Sequence, residues 1–84
     1  MNIYLNRISR TEVHFGHRSD DAAEELSLKS ANGARAGDIV PALEMLLGAL
    51  LARTPQDEEQ ILFVRLYLEA CRKYPDAEVS CDAG

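Results

Sequence analysis

Hydrophobic and polar positions divide this chain unevenly, and the apolar weight lies between Asp38 and Tyr74. Two apolar segments, 39–53 and 56–74, meet at Thr54-Pro55. In the first, Ile39, Leu43, Leu46, Leu47 and Leu50 recur at the three- and four-residue spacing that puts side chains on one helical face. Val40, Met45 and Leu51 fall elsewhere around that helix, and Glu44 is the only charged residue between Ile39 and Ala52. A helix apolar nearly all round is normally buried all round. The second segment carries Ile61, Leu62, Phe63, Val64, Leu66, Tyr67, Leu68, Ala70 and Cys71, which leaves a narrow polar stripe through Glu58, Arg65, Glu69 and Arg72 as its solvent face.

Local signals bound these helices. Asp38 is a suitable N-cap for the first, with Pro41 near its start removing a donor that has no partner there. Thr54 can end one helix and cap the next, with Pro55 in the first helical position. Asp57, Glu58 and Glu59 then complement the positive end of the second helix dipole, and Arg72 and Lys73 the negative end. Pro75 closes the helix. So short a connection predicts antiparallel neighbours, and Gly48 is expected to let their backbones approach.

Ahead of the helices the period falls to two. Residues 2–9 read as a strand, with Ile3 and Leu5 on one side, Tyr4 on the other, and a phase slip near Asn6-Arg7 that suggests a bulge or a strand end. Residues 11–17 alternate Thr11, Val13 and Phe15 against Glu12 and His14, and 26–31 form a third short run. One buried face and one wet face is the antiparallel signature. Asn32-Gly33 reads as a tight turn, and 19–25 as a solvated loop or, alternatively, a single helical turn capped by Ser19. The predicted fold class is α+β: a small antiparallel sheet of two or three N-terminal strands followed by an antiparallel helical hairpin. It forms one domain over 1–74, with 75–84 as a mobile acidic tail.

Size turns this pattern into an argument about association. A chain of 84 residues buries only a little over ~60 % of its unfolded surface. Two helices apolar on most sides therefore keep a surplus that the sheet cannot cover, and such a patch is an interface or an aggregation liability. The candidate interface residues are Val40, Leu43, Leu47, Leu51, Leu62 and Leu66, most simply in a two-fold homodimer.

Charge narrows the partners. The net charge of −5 disfavours direct binding to nucleic acid, which draws on clustered Lys and Arg. No apolar run approaches a transmembrane length and the first residues lack a signal-peptide layout, so a cytoplasmic protein without membrane contact is expected. The N-terminal third is nevertheless locally basic and next to acids. Arg7, Arg10, His14, Arg18, Asp20 and Asp21 are accordingly the candidates for recognising a larger protein target by complementary charge.

Candidate chemistry is sparse. His14 and His17 are an odd number apart in a strand, which sends the rings to opposite faces, and no further ligands stand nearby at a metal-binding spacing. Cys71 reads as a packing residue and Cys81 as an oxidisable position in the tail. Asp20, Asp21, Glu24 and Glu25 lack the ligand order and central glycine of a calcium loop, and no glycine-rich phosphate loop is present. No cofactor and no enzymatic activity are expected.

Three functional classes follow: a dimeric binding or regulatory protein, a subunit of a larger protein assembly, and an acidic DNA mimic or nucleic-acid-related module. In size, acidity and absence of a catalytic motif the chain resembles in type, with no shared motif, the inhibitors and accessory proteins encoded by bacteriophages and mobile elements. That likeness implies inhibition of a host protein by binding.

Overall fold

Alternation sets the register of an N-terminal hairpin. The computed structural model describes residues 2–16 and 31–82. Within them β1 (Asn2–Arg7) pairs with β2 (Arg10–Gly16), and Ile3 and Leu5 stand opposite Phe15 and Val13. The pairing shifts between Leu5 and Asn6, where the alternation of the sequence slips. The expected third strand over 26–31 lies outside the described residues except for Ala31, which is in a turn.

Two helices follow, α1 (Ala36–Ala52) and α2 (Glu58–Lys73), and then a strand the sequence pattern did not suggest, β3 (Glu78–Asp82). This corrects the expectation of a mobile tail over 75–84. β3 runs antiparallel to β1 and gives the order β2-β1-β3, so the first strand of the chain is central and the last is beside it. Val79 and Cys81 face Leu5 and Ile3, while Glu78, Ser80 and Asp82 take the other side. Glu78 and Asp82 are thus on the wet side of an alternating strand, while Asp76 lies in the turn before it.

The outer edge of β3 is held by the chain that leads into α1. Gly33 N donates to Val79 O at 2.7 Å, Val79 N to Ala34 O at 2.8 Å, and Ala36 N to Ala77 O at 2.8 Å. Cys81 N donates to Asn32 Oδ1 at 3.0 Å. The turn that allows this has Gly33 at φ +86°, where a glycine is needed.

Both helix starts differ from the sequence reading. α1 begins at Ala36 with Arg35 in the cap position, so Asp38 lies in the first turn and complements the dipole instead of capping. Pro41 is consequently inside the helix, where it has no N–H for the carbonyl of Gly37. α2 is capped by Asp57, whose Oδ1 accepts from Gln60 N at 3.1 Å, and neither Thr54 nor Pro55 belongs to it. Gly37 N donates to Pro75 O at 2.9 Å, which brings the start of α1 beside the end of α2 and makes the pair antiparallel. A Cβ at Gly37 would stand 3.1 Å from Pro75 Cβ, so this glycine permits the close approach. Gly48, expected to do so, has nothing within 4 Å of a Cβ and faces outward.

The core lies between the inner face of the sheet and the two helices. It holds Ile3, Leu5 and Val79 from the strands, Leu43 and Leu50 from α1, and Ile61, Phe63, Val64, Tyr67, Leu68 and Cys71 from α2. Phe15, Phe63 and Tyr67 form an aromatic cluster with centroids 6.0 to 6.2 Å apart.

Candidate interaction surfaces

The helical layer leaves four large apolar side chains exposed. Met45 is 79 % exposed, Leu62 57 %, Leu66 44 % and Leu51 41 %. Pro41, Ala42, Gly48, Ala49 and Ala52 are exposed around them on α1. Met45 alone forgoes most of the roughly 1.5–3 kcal/mol that full burial of such a side chain provides. An exposed ion pair between Arg72 Nη2 and Glu44 Oε1 at 2.8 Å crosses from one helix to the other, and Arg65 and Glu69 are also exposed.

Of the six residues the sequence placed at an interface, Leu51, Leu62 and Leu66 are exposed here and Val40 and Leu47 are half-buried. Leu43 is buried in the core and leaves the set, because it is in phase with Leu50, and both point at the sheet. Met45 was missing from that set. Its signal was its place off the main stripe of the first helix.

The far face of the sheet is polar and internally bonded. Tyr4 and His14 stack with centroids 4.7 Å apart and planes 13° from parallel. The His14 ring nitrogen Nε2 is 3.2 Å from Asn2 Oδ1. Thr11 Oγ1 donates to Asn6 Oδ1 at 2.8 Å, and Asn6 Nδ2 donates to Ser80 Oγ at 3.0 Å. These bonds tie the outer side chains of all three strands into one ladder.

Arg7 and Arg10 stand opposite one another at the β1–β2 turn. Arg10 Nε is bonded to Glu12 Oε1 at 2.8 Å, and that hydrogen bond raises the Arg10 pKa. His14 belongs to the sheet face, so the structure separates it from the two arginines by placing it along β2 and away from the tip. Arg18, Asp20 and Asp21 lie outside the described residues.

The two thiols are both shielded from solvent, Cys71 fully and Cys81 in part. Desolvation pushes the Cys71 thiol up to about 12 and raises that of Cys81. Cys81 is half-buried in β3, which corrects its placement in an oxidisable tail. The Tyr67 hydroxyl is buried without a hydrogen-bond partner, and desolvation raises its pKa. No group of three or more potential metal ligands occurs among the described residues. No helix among them is long and apolar enough to cross a membrane.

With this geometry in view, comparison with known proteins finds no matching family model, no matching curated protein and no matching solved structure.

Proposed function

We propose that this chain is a small non-catalytic binding protein that pairs with a second copy through the outward side of α1 and α2 and engages a larger protein target with the remaining surface. The observation that carries the reading is the exposed group Met45, Leu51, Leu62 and Leu66 on one helical layer. A helix of this length extends about 25 Å, and a neighbour about 9 Å away gives a two-helix face on the order of 500 Å². Two such faces together remove about 1,000 Å², the lower limit for a specific interface. The Glu44–Arg72 pair bridges the two helices and leaves both charges neutralised within that face. Action in the cytoplasm, as an inhibitor or accessory protein of the kind mobile elements encode, fits this small acidic chain.

An assembly-subunit role would place a different chain on the same face. Mimicry of DNA is disfavoured, because exposed Arg65, Arg72 and Lys73 interrupt the acids of α2 and Arg72 and Arg35 neutralise Glu44 and Asp76.

Sedimentation equilibrium across a concentration series tests the reading. A species of twice the monomer mass is expected, converted to a folded monomer by Leu62→Asp with Leu66→Asp. A folded wild-type monomer at high micromolar concentration would remove the homodimer. Aggregation cured only by co-expression of another chain would favour the assembly subunit.

A further inference from the structure

The β1–β2 turn is costly to the fold in two independent ways. Ile8 and Ser9, its central residues, both have positive φ, +32° and +64°. A two-residue hairpin turn of this kind favours Asn-Gly, and a β-branched residue is the least suited to it. The flanking pair is also unfavourable, since Arg7 and Arg10 are direct cross-strand partners and like charges so placed repel, a repulsion that the Arg10–Glu12 ion pair reduces. Neither cost yields packing in return, because Ile8 is 98 % exposed.

We infer that the tip Arg7-Ile8-Ser9-Arg10 is the element that docks on the target protein, with Ile8 entering an apolar pocket rimmed by carboxylates. Local strain and like-charge opposition at an exposed site are explained when a partner supplies the missing contacts. Charge selects the rim: two arginines project together from a chain of net charge −5, so complementarity calls for an acidic surround. Arg10 is partly organised in advance. Its bond to Glu12 occupies Nε and leaves the terminal guanidinium nitrogens able to donate to a carboxylate. An exposed branched aliphatic residue between two cations fits a pocket of the same design, apolar at its centre and charged at its margin.

This inference rests on the reading of the chain as a protein-binding protein but not on the helical interface, and the two fail separately. The first arm replaces the turn with Ile8→Asn and Ser9→Gly in the full chain. The melting temperature is expected to rise by several degrees while the sedimentation mass is unchanged. A fall would show that the turn already suits the fold and would overturn the inference. In the second arm a photoreactive residue at position 8, with a control at Glu59, is irradiated in a bacterial lysate. One discrete adduct is expected from position 8 alone, reduced at least tenfold by Arg7→Glu with Arg10→Glu and by half-molar salt. An adduct between two copies of the chain, an adduct indifferent to the arginine reversal, or no adduct at all would each sink the proposal.

Discussion

The two helices invert the usual relation between apolar content and burial. α1 carries two charged residues, Asp38 and Glu44, yet only Ala36, Leu43 and Leu50 are fully buried. α2 carries six, Glu58, Glu59, Arg65, Glu69, Arg72 and Lys73, and buries eight residues. Position in the layer explains the difference. α2 sets Phe63, Val64, Tyr67, Leu68 and Cys71 into the core, and its charges occupy what is left. α1 gives the core Ala36, Leu43 and Leu50, with Ile39, Val40, Leu46 and Leu47 half-buried against them, and its remaining positions meet solvent with alanines, a glycine, a proline, two acids, Met45 and Leu51. The apolar surface of α1 thus exceeds what the monomer uses, and that excess is where association has most to gain.

Leucine substitutions test the contrast most severely. Leu50→Ala is expected to cost about 2–5 kcal/mol in urea unfolding, whereas Leu51→Ala next to it should cost well under half as much. Equal losses would break the contrast. Gly37→Ala comes next, because the new Cβ would press on Pro75. A loss of about 1–3 kcal/mol is expected from such overpacking, read as a lower melting temperature. A neutral result would mean that the start of α1 yields where the core of α2 does not.

Alkaline pH probes the buried side of α2. The folded Cys71 thiol lies at about 12, above its ordinary value near 9. Between these values the unfolded chain loses the proton first, so the folded state binds more protons and stability falls as pH rises. The slope approaches about 1.4 kcal/mol per pH unit from this group, and Cys71→Ala should flatten it in urea titrations from pH 8 to 11. An unchanged slope would count against the burial of the thiol. The smallest effect is expected from Tyr67→Phe, which removes a buried hydroxyl that has no partner. Stability should stay level or rise by about 1 kcal/mol, and a clear loss by calorimetry would reveal a hydrogen bond to that hydroxyl.

Much of this architecture is legible in the residues, for reasons that can be named. Ile3, Leu5, Val13 and Phe15 alternate, so the hairpin and its buried face follow from period two. Leu43, Leu46, Leu47 and Leu50 follow from period 3.6. β3 escaped notice because Val79 and Cys81 are only two inward positions among acids, too few to outweigh a composition typical of a tail. The caps were misplaced because Thr54 and Asp57 both satisfy the rule for an N-cap, and only the path of the chain between the helices decides between them. At the tip, Arg7 and Arg10 are visible as charges, but Ile8 reads as strand until the turn fixes its positive φ.

The sequence by itself determined the α+β class, the two helices and an apolar excess greater than so short a chain can hide, because periodicity and composition are local or additive properties. Tertiary structure alone decided which apolar side chains of each helix stay exposed, that β1 is central, that the last strand lies against the first, and that Ile8 stands free at a strained turn. Each of these depends on which distant segments meet, and residues 2–6 and 78–82 pair across nearly the whole chain.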